Sequence, residues 1–255
     1  MENYGKIGCR QLMNFKGLFM NNSKSIITLL TFILLMVTID AGTLKGHVKY
    51  DGKAPKKKRL RMDADPVCGS SHSSPVLSEN FKMASDGSMA EALVYLKDVS
   101  YTGGVPSEPA VLDQKGCIYV PHVFGMMAGQ DLLIKNSDAT LHNIHSMPKV
   151  NKEFNFAMPK VVKEKKSTFP KSEPTPFYIK CDVHPWMKSW VLVSDHPYYA
   201  VTDESGNFSI EGIPSGTYEV VCWQEKFGKR TLTAKVTIGD GDTTKDFVFS
   251  RPKKK

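Results

Sequence analysis

The stretch Tyr178-Ile179-Lys180-Cys181-Asp182-Val183-His184-Pro185-Trp186-Met187-Lys188 gathers a cysteine, a histidine and a methionine into one short loop. The three fall at relative positions 0, 3 and 6. Phe177 to Lys180 before the loop and Trp190 to Val193 after it are β-prone runs, so the loop joins two strands. Thiolate is a soft donor, imidazole is intermediate, and a thioether is soft and weak. A zinc site favours Cys/His sets without methionine.

A second imidazole has to come from a neighbouring strand. Asn136-Ser137-Asp138-Ala139-Thr140-Leu141-His142-Asn143-Ile144-His145 offers two. On a continuing strand, odd spacing sends His142 and His145 to opposite faces, so one of them reaches the loop. Two imidazoles, a thiolate and a distant methionine make the trigonal set with a long axial ligand that is diagnostic of blue copper. A lone buried cysteine is ordinarily an inert core residue. Four donors on two segments weigh against that simpler reading.

The surrounding residues carry a family resemblance. Ala128-Gly129-Gln130-Asp131-Leu132-Leu133-Ile134-Lys135-Asn136, followed by His142-Asn143-Ile144, resembles the strand pattern of plastocyanins and amicyanins. The Cys181, His184, Met187 loop, with Pro185 and an aromatic at 186, is similar to that of amicyanins. The cupredoxin resemblance spans roughly residues 110–195. It implies a Greek-key sandwich with one type 1 copper, bound by His142, Cys181, His184 and Met187. It implies that Asn143 pins the Cys181 loop, and that Trp186, Pro185 and Phe177 keep water from the metal. His184 is then an exposed ligand and the electron port of a carrier. An exported cytochrome or respiratory complex would be the partner.

Residues 198–250 have a different signature. Thr202-Asp203-Glu204-Ser205-Gly206-Asn207-Phe208 and Gly212-Ile213-Pro214-Ser215-Gly216-Thr217-Tyr218 are two turns, each leading into a strand. This resembles the carboxypeptidase regulatory-like, prealbumin-like sandwich. The opening strand of such a sandwich appears far upstream, as Gly46-His47-Val48-Lys49-Tyr50-Asp51-Gly52-Lys53-Ala54-Pro55. The expected fold class is therefore all-β, a cupredoxin-like sandwich plus a smaller regulatory-like one. Residues 43–62 give the first strand or strands of the smaller sandwich, 63–195 the copper domain with its core at 110–195, and 196–250 the rest of the smaller sandwich. Two domains in tandem, with 43–62 in the first, is the alternative.

The N-terminus reads as an export signal. Lys6, Arg10, Lys16 and Lys24 precede an uncharged run of 14 residues, 26–39, which is short for a bilayer span and suits a signal peptide. Residues 1–41 are thus expected to be a signal peptide or an uncleaved N-terminal anchor, the latter being the one expected membrane attachment. Location is expected to be periplasmic or extracellular. Without these residues the chain keeps 30 Lys/Arg and 24 Asp/Glu, a net charge of +6. Its basic runs, including the tail 251–255, read as solvated loops, and no nucleic-acid motif accompanies them.

An oxidising compartment favours disulfides. Cys68 and Cys117 are the candidate pair, and Cys222 lies in a strand-like run as a buried thiol. His122 and His196 read as structural, while His47 and His72 lack supporting context. No Ser/His/Asp arrangement, phosphate loop or haem-attachment motif suggests an enzyme. Two alternatives to an electron carrier use the same sequence: a copper chaperone or storage module, and a metal-free carbohydrate- or envelope-binding sandwich.

Overall fold

The computed structural model describes residues 41–228 and 230–251. The expected leader, with its run 26–39, lies outside the described residues except for Ala41, and the tail does so except for Arg251. Helix among the described residues amounts to Pro66–Ser70 and a 3-10 turn at Glu225–Phe227. No helix there is long and apolar enough to cross a membrane. The chain is all-β, built from sheets that enclose two large apolar cores.

Strand alternation builds these cores directly. Along Asp131–Asn136, Leu132, Ile134 and Asn136 are buried while Asp131, Leu133 and Lys135 are partly exposed, the period of two that a half-buried strand requires.

In the first sandwich, Ala41–Asp51 is a central strand. It pairs antiparallel with Asn207–Pro214, with Leu44 opposite Ile210, and parallel with Asp242–Thr244 and Phe247–Ser250. Gly46 is required at this crossing, because a Cβ there would collide with the Lys245 carbonyl and the Phe208 ring. The facing sheet runs Tyr199–Val201, Leu93–Lys97, Gly216–Trp223, Leu232–Ile238.

Leu93–Lys97 departs from expectation. The sequence reading put all of 63–195 in the copper domain, yet Phe81, Met89, Ala92, Val94, Leu96 and Val99 pack into the first core beside Leu44 and Val48. The reason lies in the run Leu93-Val94-Tyr95-Leu96, which is buried on both faces. Such a strand belongs in the middle of a layered structure. Val94 and Leu96 face the first core, and Leu93 and Tyr95 face a seam shared with Val123, Leu192, Val221 and Trp223.

The second sandwich has a five-stranded sheet, ordered Asn155–Met158, His142–Ser146, Phe177–Lys180, Lys188–Ser194, Val123–Met127. Its facing sheet runs Glu164–Thr168, Asp131–Asn136, Ala110–Lys115, Ile118–Val120. The core between them contains Leu112, Ile134, Ile144, Phe169, Phe177 and Val191. Met62 and Cys68 join this core, so the 62–68 segment packs inside the second sandwich, whereas 81–99 touches it only at the seam, through Leu93 and Tyr95. The seam carries the Trp190 and Trp223 rings, 4.9 Å apart between centroids.

Candidate metal centre

Two neighbouring strands bring the donors to one end of the five-stranded sheet. Phe177–Lys180 runs antiparallel to His142–Ser146, with Ile179 opposite Ser146 and Lys180 opposite His145. Residue 181 therefore leaves its strand where residue 142 enters the other. Alternation turns His142 and Ile144 inward, while His145 points out to Asp182 and Glu153, at 2.8 and 2.6 Å. The chain then turns back tightly. The Met187 amide donates to the His184 carbonyl (2.9 Å), and the Cys181 amide donates to the Met187 carbonyl (3.2 Å).

The result is a compact donor cluster. His142 Nδ1 lies 3.0 Å from His184 Nδ1, and Cys181 Sγ lies 3.8 Å from the same nitrogen. One donor atom from each of His142, Cys181 and His184 falls within 4.8 Å of the others. Met187 packs in the same core cluster as Cys181. Exposure is 0% for His142, 2% for Cys181, 2% for His184 and 1% for Met187. Two inward imidazole nitrogens and a sulfur suit a soft or borderline ion, and a methionine buried in the same loop fits copper better than zinc.

Each inward-facing imidazole is held from behind by a carboxylate. His142 Nε2 lies 2.8 Å from Asp138 Oδ2, and His184 Nε2 lies 3.1 Å from Asp65 Oδ2. Outer partners of this kind fix the tautomer and orientation of a ligating histidine. Sequence reasoning missed both. Asp138 had a local signal, four residues before His142. Asp65 is 119 residues from His184 in sequence, and its only local mark is that of a helix N-cap followed by proline.

Electrostatics follow from these contacts. Burial works against a charged His142, but the Asp138 carboxylate and the Cys181 sulfur outweigh it and push its pKa up to about 9. Burial likewise opposes a Cys181 thiolate, yet His142 and the backbone amides of His184, Asn143 and Val183 bring the thiol below its ordinary value. Burial, with His142 nearby, holds His184 low against the pull of Asp65. For Asp65, hydrogen bonds from Thr140 and the amides of Cys68 and Val67 overcome desolvation and lower the pKa.

The structure corrects one expectation at this site. His184 is not an exposed ligand, because the segment around Pro66–Ser70 covers it and Cys68 Sγ sits 3.8 Å from His184 Nε2. Cys68 is disulfide-bonded to Cys117. Trp186 is half-buried, its ring 5.0 Å from that of His184 and its indole N–H donating to the Cys117 carbonyl (2.9 Å). Pro185 is exposed, whereas Phe177 lies in the core.

Asn143 ties the loop to the sheet. Its Oδ1 accepts from the Asp182 amide (3.0 Å) and its Nδ2 donates to Asn155 and to the Phe156 carbonyl. Tyr119 hydroxyl donates to the Asn143 carbonyl. The remaining histidines make other contacts. His122 pairs with Glu225 at the seam, His72 contacts the Gly116 carbonyl, His196 stacks on Tyr198, and His47 meets Ser88. Cys222 is a buried free thiol whose pKa burial pushes up.

Comparison with known proteins places this geometry beside other chains. A family model described as polysaccharide lyase family 4, domain II, matches residues 171–246, a span that runs from the ligand loop into the first sandwich. A Cu(I) structure of an amicyanin variant is 22% identical, covering 34% of this chain and 82% of its own, with a TM-score of 0.30. A purple cupredoxin from Nitrosopumilus maritimus is 22% identical, covering 33% and 99%, with a TM-score of 0.28. A copper-containing nitrite reductase from Thermus scotoductus is 20% identical, covering 40% and 25%, with a TM-score of 0.30. A search of curated proteins gave no match.

Proposed function

We propose that this chain is an exported electron carrier holding one type 1 copper through His142 Nδ1, Cys181 Sγ, His184 Nδ1 and the Met187 thioether. The observation that carries the reading is the buried convergence of His142, Cys181 and His184, with both outer imidazole nitrogens already occupied by carboxylates. When bound, copper supplies a one-electron couple. The chain's own residues supply the rest. Asp138 and Asp65 aim the imidazoles, and backbone amides support the sulfur as thiolate. The apolar core around Ile144 and Phe177 excludes water.

Since His184 is covered, Trp186 is the aromatic group that links it to the surface. An exported cytochrome or respiratory complex docking near Trp186 and Pro185 is the expected partner. The four donors leave no position for a substrate, which metal catalysis needs, so the chain is read as a non-enzyme. The regulatory-like resemblance and the family-model match over residues 171–246 support a second reading for the first sandwich, an accessory module that binds glycan or envelope material.

The test is spectroscopic. The purified protein with one equivalent of Cu(II) should develop an intense visible thiolate-to-metal band that ascorbate bleaches, and Cys181→Ala should lack it. A Cys181→Ala protein that keeps the band, or a wild type that never forms it, defeats the assignment. Glycan binding by the metal-free protein checks the second reading.

A further inference from the structure

We propose that the Cys68–Cys117 disulfide is a clamp that positions Asp65 and Asp138 behind the two metal-facing imidazoles and seals the centre, so that copper exchanges slowly once the bridge is formed. The proposal rests on the copper reading above.

The two halves of the bridge are wired to the two histidines in the same way. On one side, the Cys68 and Val67 amides donate to Asp65 Oδ1 at 3.2 and 2.8 Å, while Asp65 Oδ2 holds His184 Nε2. On the other, the Cys117 and Gly116 amides donate to the two oxygens of Asp138 at 2.8 and 2.7 Å, and Asp138 Oδ2 holds His142 Nε2. Each half-cystine thus presents its own amide to a carboxylate that presents itself to a ligand. Joining the sulfurs joins the two arms. The bridge spans 49 residues of sequence and ties the cover segment to the metal-bearing sandwich.

The helix in the cover cannot hold itself in place. Pro66–Ser70 has five residues, far below the length at which a helix holds itself together in water. It is anchored to the site by Asp65, which also accepts from Thr140 Oγ1 at 2.8 Å, and by His72 on the Gly116 carbonyl. Farther back, the 58–60 and 76–78 runs pair through two backbone hydrogen bonds, Leu60 amide to Val76 carbonyl and Ser78 amide to Lys58 carbonyl, and Met62 is buried in the second core. A cross-link restricts a chain most where other restraints are few. All four side chains are at or below 2% exposure, so protein has to move for an ion to enter or leave, and the Asp65–Cys68 segment lies directly against His184.

The full-length protein is loaded with one equivalent of Cu(I) and mixed with excess bicinchoninate, a chromogenic Cu(I) chelator, without oxygen. Release from disulfide-bonded wild type is expected to be at least tenfold slower than from Cys68→Ala/Cys117→Ala. The Cu(II) form of that variant should show a shifted charge-transfer band, because its imidazoles have lost their fixed backing. Leu96→Ala, which weakens the first sandwich, should leave the slow release and the band unchanged. Equal release rates from wild type and double variant, both binding one copper, overturn the clamp while leaving the copper reading intact. If neither chain binds copper, the copper reading falls and takes the clamp with it.

A measurement on wild type alone guards against a double variant that does not fold. Release limited by opening of the cover becomes independent of chelator concentration. A rate that keeps rising linearly with chelator overturns the proposal.

Discussion

Asp65 Oδ2 accepts hydrogen bonds from both Thr140 Oγ1 and His184 Nε2, so one oxygen links the cover of the site to an inward-facing imidazole of the donor cluster. The other oxygen caps the short helix. These roles separate on substitution. In Asp65→Asn, the side-chain oxygen still caps, so the stability loss should stay near a few tenths of a kcal/mol on the scale of N-cap changes. The amide NH2 then faces His184 Nε2–H and cannot accept its proton. The copper spectrum should therefore shift in Asp65→Asn at nearly unchanged urea midpoint. Asp65→Ala should shift the spectrum and also lose about 1 kcal/mol. An Asn variant with a wild-type spectrum would show that the carboxylate does not orient His184.

Asn143 is a joint between sheet and loop. Its side chain accepts from the Asp182 amide and donates to two groups on the neighbouring edge strand. Asn143→Ala removes the acceptor of the Asp182 amide, which water can partly replace at this exposed residue, and should cost about 0.5–1.5 kcal/mol, the range for an ordinary hydrogen bond. Chemical denaturation of the metal-free protein measures this. Loop mobility should rise at the same time, seen as faster amide exchange at Asp182 and Val183. A variant with unchanged denaturation and exchange would leave Asn143 without a structural role.

The part of this site legible in the sequence was its local part. Cys181, His184 and Met187 are bound together by loop spacing; strand period says that only one of His142 and His145 faces inward, and the family resemblance, not the period, points to His142, the residue that is fully buried. The unread part was supplied by distant chain. The Cys68–Cys117 pair was readable and is formed, but nothing near His184 announces that Asp65, 119 residues away, will back its imidazole. The same holds for the fold. β-prone runs mark the strands, Leu93–Lys97 included, but this one has no alternation to say which core it faces. A strand buried on both faces gives no direction, so its place in the first sandwich is set by its neighbours Tyr199–Val201 and Gly216–Trp223.

The two cores should respond independently to cavities. Leu96 is fully buried in the first core, and Ile144 in the second. Truncation to alanine should cost about 2–5 kcal/mol at either place. Leu96→Ala should leave the copper spectrum alone, whereas Ile144→Ala, between the strand positions of Asn143 and His145, should broaden or shift it. Thermal unfolding and absorption spectra on the same samples check both. An altered spectrum in Leu96→Ala would mean that the seam transmits packing changes to the metal.

Stability at the seam should fall as pH rises through the neutral range. His122 Nε2 lies 2.7 Å from Glu225 Oε2, with Glu79, Glu91, Lys82 and Lys188 close by. Burial disfavours the charged imidazole, but Glu225, Glu91 and Glu79 outweigh it and raise the His122 pKa. A raised folded pKa means that His122 adds stability fully below its unfolded value of about 6.5 and loses it as pH climbs through the folded value. Glu225 behaves oppositely. Burial would raise its pKa, but His122 and Lys188 help lower it, so its contribution is present above the ordinary carboxylate value and lost in acid. Glu91 has a pKa raised by burial, and its ionisation adds to the decline at higher pH. The pair should therefore stabilise most between about pH 4.5 and 6.5. His122→Gln removes the imidazole's share, so the difference in urea midpoint between wild type and variant should be largest near pH 6 and shrink towards pH 9. A difference that stays constant across that range would mean that the His122 proton plays no part in holding the two sandwiches together.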